Sequence, residues 1–305
     1  MSGHALVVGE ALVDVVVRTD GAVQSHPGGS PANVALGLGR LGRDVELLAY
    51  LGDDENGSVV REHLAASGVS LAQGSLDAPS TSVATARLDE TGAASYEFDL
   101  TWDISAKAAP RPAPIVVHTG SIAAVLSPGA AAVREIVEAN RPTATVTYDP
   151  NARPTLMGDP AEARALVEQM IALADVVKVS DEDVEWLCGG DADAAAREWA
   201  SSGPAFVVVT RGGEGATAFL ADGRELSIAA PKVTVADTVG AGDSFMGGLI
   251  DGLWGAGLLG AERREALRAI DDATLTAILE RCARIAAITV SRPGANPPGS
   301  AELGE

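Results

Sequence analysis

The 305-residue chain is long enough for one large domain with a well-buried core, and 47% of its residues are apolar against only 4% aromatic. Its 42 acids against 22 bases give a formal charge of −20, a field that repels nucleic acid and anionic lipid. Cys188 and Cys282 lie far apart, and His4, His26, His63 and His118 form no HxxxH pair, so neither a disulfide framework nor a zinc centre is signalled.

The start, MSGHALVVGEALVDVV, meets Glu10 and Asp14 too early for a secretory signal, and no apolar run reaches about 18 residues. The expectation is a cytoplasmic protein with neither a membrane nor a nucleic acid as partner. Short apolar runs then alternate with amphipathic stretches, the pattern of a parallel sheet with crossover helices. The runs predict strands at 5–9, 45–52, 115–120, 143–149, 175–180 and 205–213. Helices are predicted at 31–41, 55–67, 128–139, 160–173, 181–188 and 191–201, with Pro128 and Pro160 near two of the starts, where proline is tolerated.

One segment breaks the rhythm. TSVATARLDETGAASYEF (81–98) reads as two β-rich arms joined at Asp89-Glu90-Thr91-Gly92, a hairpin with no helix after it. With LVDVVVRTD (12–20) it would make a small second sheet, a lid over one end of the core. AKAAPRPAPI (106–115) would return the chain to the main domain, and the Pro/Gly-rich end is expected to be a surface tail beyond about residue 297.

Two phosphate motifs are set aside. GLGRLG (37–42) has the form GxGxxG, but it follows no strand and lies within a predicted helix. None of the three lysines (Lys107, Lys178, Lys232) follows a glycine, which excludes a Walker A loop, and no GxSxG elbow occurs.

The informative stretch is ADTVGAGDSFMGG (236–248), where Gly240-Ala241-Gly242 turn the chain into a helix just before Asp243. Backbone N–H groups at a helix start bind anions, and small residues let a ligand approach them closely. Asp243 could merely cap that helix. A cap, however, does not require the preceding Gly-Ala-Gly. A phosphoryl group against bare backbone does, with the carboxylate placed to accept a proton from an attacking hydroxyl.

DTVGAGD (237–243), GGSPANVA (28–35), GDDENG (52–57) and VTRGGEGA (209–216) together resemble the ribokinase-type (PfkB) sugar kinase family, in the family's order from Gly9 to about Pro297. The resemblance implies one α/β domain over 1–305. It would be a ribokinase-like three-layer sandwich with a mainly parallel central sheet and a small β lid, its segments inserted at about 11–27 and 80–104. It implies ATP as phosphoryl donor with Mg2+ and a small-molecule sugar as acceptor; pairing of the outward lid face with a second subunit is expected because two-stranded arms are marginal alone. Gly240, Ala241 and Gly242 would form the anion hole and Asp243 the base. Asp14, Gly28, Gly29, Asn33, Phe98 and Arg153 would meet the sugar. Asn151, Lys178, Ser180, Thr210, Arg211, Gly213 and Gly215 would lie on the nucleotide side. Where the family usually shows Asn-x-x-Glu, this chain has Ser180 and Asp183, so a shorter acid would hold a magnesium-bound water. The family's monovalent cation site, for K+, maps onto Asp237, Val239, Thr289, Arg292 and Gly294.

GEALVDVV and GGSPANVALGLGRLG look most like fructokinases, ahead of 2-keto-3-deoxygluconate kinase and ribokinase. Members that phosphorylate the keto acid place an Arg on the lid after an aromatic pair. Here Asp99 and Leu100 follow Phe98, and an acid there is expected to repel a substrate carboxylate. The rival class is a non-catalytic sugar-binding regulator on the same fold, with a hydride-transfer enzyme a remote third.

Overall fold

A computed structural model describes residues 3–88, 94–104 and 113–304. The hairpin turn at 89–92 and most of the return segment lie outside the described residues. Nine strands form the main sheet: β1 (Ala5–Val8), β4 (Val45–Leu48), β5 (Val69–Leu71), β8 (Val116–Gly120), β9 (Thr145–Asp149), β10 (Val176–Ser180), β11 (Phe206–Thr210), β12 (Ala216–Leu220) and β13 (Glu225–Ile228). Their order is β13-β12-β11-β10-β9-β8-β1-β4-β5, parallel from β11 to β5 and antiparallel from β11 to β13. The parallel strands are short apolar runs because helices cover both faces; β1, β4, β8 and β9 are buried at every position.

One face carries α1 (Ser30–Arg40), α2 (Glu55–Ala66), α8 (Ala241–Gly255), α9 (Arg264–Arg268) and α10 (Asp272–Val290). Its core includes Val7, Leu36, Leu47, Met246, Leu249 and Leu279. The other face carries α3 (Gly129–Asn140), α5 (Pro160–Ile171), α6 (Asp181–Cys188) and α7 (Ala192–Ser202) over Val8, Val117, Val146 and Trp199. Two short helices, α4 (Pro154–Met157) and α11 (Ser300–Leu303), sit at the periphery. The three-layer α/β sandwich is therefore as expected. Within GLGRLG, Gly39 is a packing residue of α1, since a side chain there would run into the Ser67 carbonyl.

The lid is a separate sheet of β2 (Leu12–Val17), β3 (Val23–Gly28), β6 (Val83–Leu88) and β7 (Ala94–Asp99), in the order β3-β2-β6-β7. The hairpin arms and the β2 segment meet as predicted. The strand β3, VQSHPG, was not foreseen: its exposed, weakly β-forming residues are held by six paired positions on β2. The strands β12 and β13 were not predicted, and the run at 205–213 stops as a strand at Thr210. The C-terminal tail is not loose. Arg40 donates to Asn296 Oδ1 at 2.6 Å and to the Pro297 carbonyl at 2.7 Å, and Arg292 pairs with Glu302 of α11.

From β1 the chain runs outward to β4 and β5, then returns to β8 on the other side of β1. This reversal opens a crevice at the carboxyl ends of β1 and β8, the place where α/β sheets bind ligands. Among the described residues, no helix is long and apolar enough to cross a membrane.

Candidate active site

A cleft of about 1010 Å³ opens at those strand ends, between the lid and the start of α8. Asp243 lies at its floor, 6% exposed, in the first turn of α8. The cap of that helix is Gly240, in the left-handed region at φ 76°, where a Cβ would stand 2.6 Å from the Ala295 methyl. Asp243 is therefore not a cap. Its Oδ1 accepts from Ser30 Oγ at 2.7 Å and Asn151 Nδ2 at 3.2 Å, and its Oδ2 from Asn33 Nδ2 at 2.8 Å. Asn151 also donates to Ser30 Oγ at 2.6 Å. Four side chains from α1, α8 and the loop after β9 thus form one network.

In the first turn of α8, Ala241 N–H donates to the Thr238 carbonyl at 3.3 Å, while Gly242 and Asp243 line the cleft at the positive end of the helix dipole. A buried cation reinforces that end. Lys178 on β10 is 3% exposed and donates to Asp149 Oδ2 at 2.9 Å. A methyl group on Gly242 would stand 2.8 Å from its ammonium nitrogen. Burial alone would lower the Lys178 pKa, but Asp149, Asp183 and Asp243 outweigh it and hold the ammonium above its ordinary value. In a chain of charge −20, this is local compensation for a polyanion.

At the lid end, Asp14, Ala84 and Phe98 form one cross-strand row facing the cleft. Burial raises the Asp14 pKa, against the pull of Arg153 and His26. Gly28 and Gly29 are required where they stand. A side chain on Gly28 would overlap the Asp14 carboxylate, and Gly29, at φ 104°, lies on the backbone of Glu10 and Ala11. Arg153 is exposed along the cleft and donates to the Asn151 carbonyl at 3.0 Å and to Asn151 Oδ1 at 2.6 Å. Two non-glycine residues with positive φ, Ser121 (54°) and Asn151 (36°), both line this end.

Glu10 went unremarked in the sequence as a site residue, yet it lies at the β1 end of the crevice. Burial pushes its carboxyl up to about 7, against the Ser121 side chain and Arg153, with Asp243 adding to the rise. Ser30 was also missed, although it stands inside GGSPANVA between two residues that were assigned.

The opposite end of the cleft is lined by Ser180, Asp183, Thr210, Gly213 and Gly215, the residues the resemblance puts on the nucleotide side, and by Lys232, Val233 and Val235 of the long loop before α8. Arg211 is a correction. Its guanidinium pairs with Asp193 and donates to Thr217 Oγ1 at 3.0 Å, so its side chain belongs to the α7–β12 junction and not to the cleft wall. Asp99 is another: strand alternation carries it to the lid face away from the cleft, and Leu100 lines the cleft instead.

Asp183 is engaged by backbone, accepting from Ala152 N–H at 2.9 Å and Ser180 N–H at 3.3 Å. Among the described residues, no three Asp, Glu, His or Cys side chains gather as a metal cage. Asp183 lines the cleft and is the acid that would hold a water of a magnesium ion carried on nucleotide phosphates, where the metal would offset phosphate charge. Of the expected cation residues, Asp237, Val239 and Gly294 are brought together: Asp237 accepts from Val239 N–H at 3.0 Å and from Gly294 N–H at 2.8 Å. The Thr289 carbonyl accepts from Arg292 N–H at 3.1 Å.

A helix N-terminus reinforced by a buried lysine, with a carboxylate beside it under a β lid, is a geometry for phosphoryl transfer to a hydroxyl. The model of the pfkB family carbohydrate kinases matches residues 3–302. The chain belongs to that family. Among curated relatives of this pfkB chain, the fructokinase of Klebsiella pneumoniae is 34% identical over 85% of this chain and 87% of its own. The Escherichia coli fructokinase is 32% identical over 94% of both. In three dimensions, the crystal structure of Vibrio cholerae O395 fructokinase with fructose, ADP and calcium ion bound superposes with a TM-score of 0.79. It is 25% identical and covers 99% of this chain and 98% of its own.

Proposed function

We propose that this pfkB-family kinase transfers the γ-phosphoryl group of ATP to a primary hydroxyl of fructose. The observation that carries the substrate class is charge. The sugar end holds three carboxyl groups, Glu10, Asp14 and Asp243, against one cation, Arg153, which is already hydrogen-bonded to Asn151. A substrate carboxylate would enter beside three acids with Arg153 as its one nearby partner, whereas a neutral polyol finds acceptors for its hydroxyls. Among the described residues, the lid turns no cation into the cleft, though the reason differs from the one read in the sequence. The cleft-facing position after Phe98 is Leu100, and Arg87 is exposed and pairs with Glu97 at 3.7 Å.

In this reading Asp243 accepts the proton of the sugar hydroxyl as its oxygen attacks phosphorus. Asn33 and Ser30 hold the carboxylate in place, and Asp14 accepts from other hydroxyls under the closed lid, which excludes water. The Gly242 turn and Lys178 meet the transferred phosphoryl group. Magnesium, when bound on the phosphates, would neutralise their charge. The Asp237–Gly294 loop pair supports a potassium ion beside the anion hole. The outermost lid strands, β3 and β7, offer edges for a second copy, and light scattering at a dimer's mass is the outcome that assembly requires.

A coupled ADP-release assay across fructose, ribose and 2-keto-3-deoxygluconate tests the substrate. With magnesium and potassium present, kcat/KM for fructose should exceed that for the keto acid at least tenfold, since an unpaired buried charge costs roughly 1–3 kcal/mol. A better rate with the keto acid would overturn the charge argument and make Arg153 its anchor.

A further inference from the structure

The GDDENG motif contributes no side chain to the cleft, yet it makes the most heavily bonded junction in the lid's root. Asp54 caps α2, its Oδ1 accepting from Gly57 N–H at 2.7 Å. The same carboxylate accepts from Thr81 Oγ1 and from Thr81 N–H, both at 2.7 Å. Thr81 Oγ1 in turn accepts from Gly52 N–H at 3.0 Å, and Gly52 bridges to Ala78. Thr81 is 4% exposed and stands two residues before β6.

The lid hangs from this point. The next residue, Ser82, donates through its hydroxyl to the Thr101 carbonyl at 3.2 Å and accepts from Thr101 N–H at 3.1 Å, joining the entry of β6 to the exit of β7. Its carbonyl accepts from Val13 N–H at 3.0 Å, which fixes β2 as well. Three residues beyond Thr81, Ala84 pairs with Asp14 on one side and Phe98 on the other, the row that faces Asp243 across the cleft. Burial of Asp54 acts to raise its pKa, but hydrogen bonds from Thr81 and Gly57 outweigh it, so the clamp is a charged acceptor throughout the physiological range. In the interior of a sheet, a shift of register moves a whole row of side chains, so a fixed root fixes the row.

We propose that the Asp54–Thr81 junction is the pivot of the lid, a positioning pair that sets sugar affinity without touching the sugar. The proposal rests on the assignment of the Asp14–Ala84–Phe98 row to the sugar. Loosening the pivot lets the row leave its place over Asp243, so sugar binding weakens. The nucleotide end, built on β10, β11 and α8, is untouched.

Thr81→Val keeps the side-chain shape and removes the hydroxyl, while Thr81→Ser restores it. Ser75→Ala is the control: Ser75 is buried in the neighbouring loop and bonds Ala49 N–H and the Leu47 carbonyl, both at 3.2 Å, with no bond to the lid. In the ADP-release assay T81V should raise the fructose KM about tenfold, with kcat within about threefold and the ATP KM within about twofold. T81S should return the sugar KM to within about twofold of the parent, and S75A should leave it there. Hydrogen exchange over 83–88 and 94–99 should speed up in T81V alone. Equal effects of T81V and S75A, or a matching rise in the ATP KM, would reduce the junction to ordinary structure. If the parent protein phosphorylates no neutral sugar, the substrate reading fails by itself. The pivot is then judged by exchange: unchanged lid exchange in T81V overturns it, and selective acceleration sustains it.

Discussion

The two ends of the cleft are built by opposite methods. At the proposed sugar end, Asp243, Ser30, Asn33 and Asn151 are bonded to one another, and Ser121 and Asn151 are held in left-handed conformations. At the nucleotide end the wall before α8 has no regular secondary structure, and Val233, Val235 and Val239 are 43%, 57% and 53% exposed. The difference follows from what each end must do. Proton removal needs a carboxylate fixed in place before the hydroxyl arrives, since reorganisation during the reaction adds to the barrier. Holding a nucleotide needs apolar surface and bare backbone, which tolerate adjustment.

The largest test of this contrast is Asp243→Asn. Both oxygens of Asp243 already accept from donors, so an amide would set its NH2 against Asn33 or against Ser30 and Asn151. The proton acceptor is lost as well. We expect kcat to fall by about 10²–10⁴ with the ATP KM nearly unchanged. A variant that keeps over half its rate would make Asp243 a structural residue. A large rise in the ATP KM would show that the two ends are not separate.

Preorganisation at the sugar end also has a cost in stability, and Glu10 measures it. Its folded pKa is about 7, raised chiefly by burial from the ordinary 4.5. The folded state therefore binds this proton more tightly than the unfolded chain does. Stability falls as pH rises from about 4.5, and the whole deficit is present above about 7. The shift corresponds to about 3 kcal/mol at pH 8 and under about 1 kcal/mol at pH 5. Glu10→Gln removes the titration while keeping shape, so its urea midpoint should exceed the parent's at pH 8 and approach it at pH 5. An equal gap at both pH values would mean that Glu10 is ionised in the fold throughout.

Much of this architecture is legible in the sequence because local pattern and global fold agree. Apolar runs of four or five residues become buried parallel strands, and small residues before Asp243 become a helix start open to a ligand. What is not legible depends on partners far along the chain. The strand β3 exists because β2 pairs with it, not because VQSHPG favours a strand. Ser30 reaches Asp243 across 213 positions, so its neighbours in sequence give no sign of its acceptor. Arg211 sits in a glycine-rich turn that suggests phosphate, but Asp193 on another helix draws it away. Asp99 stood one residue from the decisive position, and strand alternation reversed the face it was expected to occupy.

The smallest expected effect isolates preorganisation from chemistry. Ser30→Ala leaves the base itself intact. The Ser30 hydroxyl donates to Asp243 Oδ1 at 2.7 Å while accepting from Asn151, so it fixes which lone pairs of the carboxylate remain open to a substrate proton. Without it, Asn151 still lies 3.2 Å from Oδ1, and Asn33 still holds Oδ2, so the carboxylate is loosened and not freed. A hydrogen bond to a charged group contributes roughly 1.5–3 kcal/mol, and the remaining contacts recover part of it. The net loss should be about 1.4 kcal/mol, tenfold in kcat. Both Michaelis constants should stay within about threefold, because Ser30 touches neither the lid row nor the nucleotide wall. If kcat is unchanged, the carboxylate needs no fixing by α1 and the contrast between the ends is one of appearance only. If the ATP KM rises with the loss of rate, the network extends into the nucleotide end, and the cleft works as one site in place of two.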